Sequence, residues 1–283
     1  MEYLYKALKR EIGAVEAEPW SVAVLDEQRS EPVVAARTIV PLPAPSHRGS
    51  VVPFPVHTER LYSMRTENMA KDHHHALEQY RVLRSRVLEI LRMQKMRTLM
   101  VTSAVSGECK TTTSINLALA LSQVQGIKVL LVDTDLRKAG IAEVLGIPYH
   151  TGLHDYLRTP APLADVLLQL TDSLSFIPSG GVDQNSAELL HSEKMAAFVN
   201  EVKSCFDIII FDAPPLFPVA DARVIGNLMD AVLFCVRSGR TSETIVQEAV
   251  ALIRPKLIGT VLAGAEVRPG GWYYYYSGSY AKE

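Results

Sequence analysis

The sequence has no long hydrophobic run. Its longest apolar stretches, such as Val129–Val132 and Ile208–Phe211, are strand-length and fall well short of the ~18 residues a spanning helix needs, so no membrane span is expected. Cysteine is scarce: Cys109, Cys205 and Cys235 form neither an even set nor a metal-ligand spacing. That argues against a disulfide framework or a zinc site and fits a reducing compartment. An excess of charge of one sign is missing too, since a net charge of −2 leaves no basic footprint for nucleic acid. The start, Met1 to Lys6, has no basic segment running into an apolar core, so no secretory leader is expected. What is present is 283 residues, 48% hydrophobic and 21% charged, enough for one sizeable α/β domain with appendages.

The most informative stretch is Val101-Thr-Ser-Ala-Val-Ser-Gly-Glu-Cys-Lys-Thr-Thr-Thr113. An apolar strand pattern runs into a turn of small residues, then Lys-Thr, then a helix. Backbone N–H groups of such a turn, the positive end of the helix, an ammonium and a hydroxyl converge on a nucleotide's phosphates and Mg²⁺. Lys110 and Thr111 would be those side chains, within a loop that includes Ser106, Gly107, Glu108, Cys109 and Thr112. The strict pattern G-x-x-x-x-G-K-[ST] is not met, because Ala104 and Cys109 stand where its glycines belong.

Around this loop the chain divides into four parts. Residues 1–18 carry Leu4, Ala7, Leu8, Ile12 and Val15 at helical spacing and read as a short amphipathic docking helix. Residues 19–66 hold Pro32, Pro41, Pro43, Pro45, Pro53 and Pro55 without sustained periodicity and read as a linker. Residues 67–265 form the main domain and residues 266–283 a tail. His73–His75 reads as a solvated helix start rather than a metal tract, since no further ligands accompany it. Ala76–Met93 is helical, with Glu78, Arg81 and Arg84 on one polar face while Leu77, Val82, Leu83, Val87, Leu88 and Leu91 face elsewhere. That polar face is either solvated with an internal ion pair or suited to another subunit, because guanidinium forks bind carboxylates bidentately.

Beyond the loop, Thr112–Gln125 reads as a helix, and Val129 to Arg137 as a buried strand with Asp133 and Asp135 at its carboxyl end. A second apolar strand, from Phe206, ends in Asp212 before Ala-Pro-Pro. Ligands bind at that edge of an open parallel sheet, and an acid emerging from such a run is costly to bury unless it meets cations or donors. The remaining pieces alternate: Leu174–Pro178 strand, Ser186–Lys203 helix, Ala220–Met229 helix, Ala231–Val236 strand, Thr241–Ile253 helix, Leu257–Leu262 strand. The expected fold is therefore α/β, a doubly wound and mostly parallel sheet of the P-loop NTPase kind. Five of the eleven tyrosines, Tyr273, Tyr274, Tyr275, Tyr276 and Tyr280, sit in a glycine-flanked tail. Such a cluster can pack as an aromatic patch, but at a loosely held terminus it suits entry into an active site as substrate.

From Glu78 to the C-terminus the chain resembles the bacterial tyrosine kinases of the capsular and exopolysaccharide type. The family's T-S-x-x-P-G-E-G-K-[ST]-T corresponds to Thr102–Thr112, its V-D-x-D-x-R to Val132–Arg137, and its I-D-x-P-P to Phe211–Pro215. Gly152–Leu157, Ile177–Gly180, Ala187–Leu190 and the tyrosine tail follow in the family's order.

The resemblance implies an ATP- and Mg²⁺-dependent protein-tyrosine autokinase that regulates polysaccharide polymerisation and export. Lys110 would hold the β- and γ-phosphates, Thr111, Asp135 and Asp212 would hold Mg²⁺, and Asp133 would take the tyrosine proton. Tyr273–Tyr276 and Tyr280 would be the autophosphorylation sites. Glu78, Arg81 and Arg84 match the motif through which family members assemble into rings. The resemblance further implies activation by a membrane polysaccharide co-polymerase, with this chain as a detached cytoplasmic subunit held at the inner face of the plasma membrane by that partner.

Three positions depart from the family pattern: Ser106 for Pro, Cys109 for Gly, and Ala263 for an Asn near the base. A β-carbon at positive φ costs ~1–2 kcal/mol, or roughly tenfold in affinity if the strain arises only on binding, so Cys109→Gly is expected to tighten ATP binding. Two other functions remain: a scaffold of the same fold without transfer chemistry, and a partitioning-type ATPase, which would carry a Lys where Val105 stands.

Overall fold

Thr98–Ser103 (β1), Val129–Asp133 (β2) and Ile208–Asp212 (β5) are buried at every position. A strand covered on both faces has no solvent side to alternate with, which is why these segments read as unbroken apolar runs. The computed structural model describes residues 69–148, 151–181, 186–218 and 220–264. The expected N-terminal helix, the proline-rich linker and the tyrosine tail lie outside the described residues.

The elements before β1 and up to β5 are α1 (Met69–Met93), α2 (Lys110–Ser122), α3 (Ile141–Leu145), α4 (Leu153–Arg158), β3 (Leu168–Thr171), β4 (Leu174–Ile177), α5 (Ser186–Leu190) and α6 (Glu193–Cys205). After β5 come α7 (Asp221–Leu228), β6 (Ala231–Arg237), α8 (Glu243–Ile253) and β7 (Leu257–Ala263). The seven strands form one sheet in the order β3-β4-β2-β5-β1-β6-β7. Every pairing is parallel except that of the edge strand β3 with β4.

Each sheet face buries its own cluster. On one face Leu99, Val101, Leu131, Ile210 and Leu233 meet Leu83, Val87 and Leu91 of α1 and Leu117 and Leu121 of α2. On the other, Met100, Val132, Phe211 and Phe234 meet Phe198 and Val202 of α6, Ile225 of α7 and Val246 of α8. Each fully buried side chain of this size contributes ~1.5–3 kcal/mol, and the alternation of faces along each strand fixes the register. That register sets Asp133 directly beside Asp212 across β2 and β5, with Val101 of β1 on the far side of Asp212. The doubly wound, mostly parallel fold is as the sequence implies.

The boundaries differ in places. α1 starts at Met69 and so includes His73–His75 in its backbone, and α2 begins at Lys110 rather than Thr112. β2 stops at Asp133, so Asp135 sits in the turn beyond the strand. The single helix expected over Ser186–Lys203 is two, because the Ser192 hydroxyl accepts the Met195 N–H at 3.2 Å and starts α6 afresh. β3, α3 and α4 were not anticipated, being too short to show a periodicity. No helix among the described residues is long and apolar enough to cross a membrane.

Candidate functional site

The phosphate loop runs from the end of β1 to the start of α2. Gly107 and Cys109 both take positive φ, 85° and 63°, and Cys109 in its left-handed conformation is the residue on which α2 begins. The Cys109 carbonyl accepts the Thr113 N–H at 2.9 Å, which closes the helix's first turn. Glu108 is completely buried. Its Oε2 accepts the Val105 N–H at 3.0 Å, while its Oε1 accepts the Arg237 N–H at 3.3 Å and the Thr241 hydroxyl at 2.5 Å. The Glu108 side chain therefore faces inward and fastens the loop to the connection after β6. Only its backbone remains for a ligand.

Lys110 and Thr111, the first residues of α2, point toward the carboxyl ends of β2 and β5. Lys110 Nζ lies 3.2 Å from Asp135 Oδ2 and 3.9 Å from Asp212 Oδ2. Thr111 Oγ1 donates to Asp212 Oδ2 and Ser114 Oγ donates to Asp212 Oδ1, each at 2.8 Å. Asp133 Oδ1 accepts the Asp135 N–H at 3.1 Å, and its Oδ2 accepts the Gly140 and Ile141 N–H groups at 3.2 Å. Asp135 Oδ1 accepts the Lys138 N–H at 3.0 Å.

Burial, and after it the neighbouring Asp212 carboxylate, pushes the Asp133 carboxyl up to about 7, against the pull of its three backbone donors. Burial also raises Asp212, opposed by Lys110, Thr111 and Ser114. Burial disfavours the charge on Lys110, but Asp212 and Asp135 outweigh it and leave the ammonium above its usual range. The cluster is thus one firmly charged ammonium among carboxylates that outnumber it.

The structure brings together every residue expected in the phosphate loop and the carboxylate set. It also adds three. Ser114 lies one helical turn beyond Lys110 and Thr111 on α2, a spacing that could have revealed it. Arg137 and Asp221 are linked at 2.7 Å between Nε and Oδ2, tying the turn after β2 to the start of α7. The Glu78, Arg81 and Arg84 face is split: Glu78 and Arg81 form an exposed ion pair, whereas Arg84 turns inward and donates from Nη1 to the Ala120 carbonyl of α2 at 3.2 Å. Among the described residues no group of His, Cys, Asp and Glu is arranged to enclose a metal ion unaided.

Positive φ at Cys109 makes strain part of the folded loop rather than something taken up only on binding. A left-handed β-carbon costs ~1–2 kcal/mol, while a glycine gives back about 0.5–1 kcal/mol through the freedom of its unfolded chain. Cys109→Gly is expected to exceed Cys109→Ala in stability by roughly 0.5–1 kcal/mol, measured by urea unfolding, the reverse of the order in a helix interior. An alanine variant as stable as the glycine variant contradicts the strain.

A protein-family model described as an AAA domain matches residues 96–242. The tyrosine-protein kinase YwqD of Bacillus subtilis is 34% identical over 203 residues, covering 70% of this chain and 85% of that protein. The putative tyrosine-protein kinase CapB of Staphylococcus aureus is 27% identical over 205 residues, covering 71% of this chain and 90% of its own. Among solved structures, the kinase domain of the Escherichia coli tyrosine kinase ETK superposes with a TM-score of 0.65 at 26% identity, covering 74% of this chain and 86% of that domain. With the loop and the carboxylates in the places described, these matches put the chain in the family of bacterial tyrosine-protein kinases.

Proposed function

We propose that this chain is an ATP- and Mg²⁺-dependent protein-tyrosine autokinase of polysaccharide biosynthesis. The observation that carries the reading is the convergence of Lys110, Thr111, Asp133, Asp135 and Asp212 at one edge of the sheet. The donor set suits a magnesium nucleotide. Three carboxylates, Asp133, Asp135 and Asp212, face one ammonium, Lys110, so the formal sum is −3 + 1 = −2 with all four charged. That is the excess a divalent cation neutralises, and Mg²⁺ typically takes one or two carboxylates and completes its shell with phosphate oxygens and water.

Phosphoryl transfer needs positioning and charge neutralisation more than covalent help from the protein. Bound ATP supplies the transferred phosphoryl group and Mg²⁺ screens its charge. Lys110, now paired with Asp135 and Asp212, would hold the β- and γ-phosphates. Asp135, Asp212 and the Thr111 hydroxyl would hold the metal. Backbone N–H groups of Ser106 to Thr112 at the start of α2 would cradle the phosphates. Asp133 is the base in this reading: burial, and then the neighbouring Asp212, push its carboxyl up to about 7, near working pH. Its Oδ1 takes only one of the three backbone N–H groups, so a lone pair remains for a tyrosine hydroxyl. Tyr273–Tyr276 and Tyr280, outside the described residues, are the acceptors in this reading.

Glu78, Arg81 and Arg84 support assembly into a ring of copies, with a membrane polysaccharide co-polymerase as the activating partner that keeps the chain at the inner face of the plasma membrane. Replacing Arg81 and Arg84 by Ala is expected to leave monomers by light scattering. Arg81→Glu alone, which keeps the Arg84 contact to α2, should do the same; a ring of unchanged mass in both variants rejects the assembly role.

Incubation with γ-labelled ATP, Mg²⁺ and the partner's activating segment is expected to place label on tyrosines between positions 273 and 280. Lys110→Met should lower that labelling by at least ~100-fold, the usual cost of removing a group that stabilises the transition state. Phosphate release without phosphotyrosine would instead favour a partitioning-type ATPase, and neither product would favour a scaffold.

A further inference from the structure

The phosphate loop has cations on both flanks. In the strand order β2-β5-β1-β6, Asp133, Asp135 and Asp212 approach the loop from the β2 and β5 side, and Lys110 is engaged with them. From the opposite side, the connection between β6 and α8 brings two arginines to Gly107. Arg237 Nη1 donates to the Gly107 carbonyl at 3.5 Å. The Arg240 guanidinium lies flat over the Gly107 backbone, so close that a β-carbon there would stand 3.0 Å from its Cζ and Nη2 and 3.2 Å from its Nη1. The φ of 85° is what calls for glycine at position 107; a β-carbon there would only press the Arg240 guanidinium aside by a few tenths of an ångström.

We propose that Arg240 is a second phosphate-binding cation of the site, a role that rests on the nucleotide reading above. Among the described residues its side chain has no hydrogen-bond or ion-pair partner, unlike Lys110 and Arg137. An exposed arginine without a partner ordinarily samples solvent. Here the connection that carries it is fastened at both ends by one buried carboxylate, since Glu108 Oε1 accepts both the Arg237 N–H and the Thr241 hydroxyl. Glu108 also holds the Val105 N–H, so loop and connection move as one unit and the guanidinium stays beside the backbone N–H groups that receive phosphate. Guanidinium forks match phosphate oxygens in geometry and hold their charge at any working pH. The side chain at position 109 adds bulk to the phosphate bed, and a second cation on the far flank offsets what that bulk costs in approach.

The test is calorimetric titration of wild type, Arg240→Ala and Arg240→Lys with MgADP and MgATP, at about 0.05 M and about 0.5 M KCl, a range over which exposed charges become largely screened. The expected result is a roughly tenfold weaker affinity of Arg240→Ala for both nucleotides at low salt, the size of one charge-assisted contact. The gap should shrink at high salt, and Arg240→Lys should recover part of the loss. Equal affinities of wild type and Arg240→Ala overturn the proposal while leaving the nucleotide reading intact. A loss of the same size at both salt concentrations overturns it too, because it assigns Arg240 to packing against the base. No binding by wild type overturns both readings together.

Discussion

The structure depends on how the buried negative charge at the carboxyl edge of β2 and β5 is tolerated. Strand register puts Asp133 and Asp212 side by side, and both are almost wholly buried. Burying an unpaired carboxylate costs several kcal/mol, so each oxygen is matched to a donor. Two hydroxyls and the Lys110 ammonium serve Asp212, and three backbone N–H groups serve Asp133. Donors satisfy hydrogen bonds but do not cancel charge: burial, and after it the Asp212 carboxylate, push the Asp133 carboxyl up to about 7 against the pull of its three backbone donors. A site so provided with acceptors and so short of positive charge is preorganised for a cation carrying its own ligands.

The rest of the fold holds that edge still. Helices on both faces bury the central strands completely, leaving their carboxyl ends little freedom to drift apart. α2 carries Lys110 and Thr111 on its first turn and Ser114 on the next, against the same strands. Its start is set by two positive-φ residues and by the Glu108 tether to the connection after β6. Loop geometry and carboxylate geometry are therefore fixed by different strands of one sheet, β1 and β6 for the first, β2 and β5 for the second.

Much of this was legible in the sequence. Short, β-branched, unbroken apolar runs such as Ile208–Phe211 read as doubly covered strands, and the acids that end them then fall at the ligand edge. Lys110 and Thr111 were readable because a small-residue turn between strand and helix has few other uses. What escaped were features set by tertiary contact. The inward turn of Glu108 depends on Arg237 and Thr241, which lie more than a hundred residues away in the chain. Arg84 was placed on the outer face by helical spacing, yet its length lets it reach back to Ala120. The break at Ser192 was hidden because two short helices with one shared apolar face mimic a longer one. The strain at Cys109 was foreseen, but only the backbone angle assigns it to the folded loop.

In the proposed function the carboxylate cluster and the phosphate loop form one site for a magnesium nucleotide. Thermal unfolding of wild type and Asp212→Asn, with MgADP or with ADP and a chelator, tests it most directly. Saturation at ~100-fold above the dissociation constant stabilises by about 2.7 kcal/mol, which shifts the midpoint of a domain this size by roughly 5–10 °C. Wild type is expected to show that shift with MgADP, and a much smaller one without the metal or with the carboxylate removed. A midpoint that ADP moves equally with and without Mg²⁺, or that MgADP leaves unmoved, would contradict it.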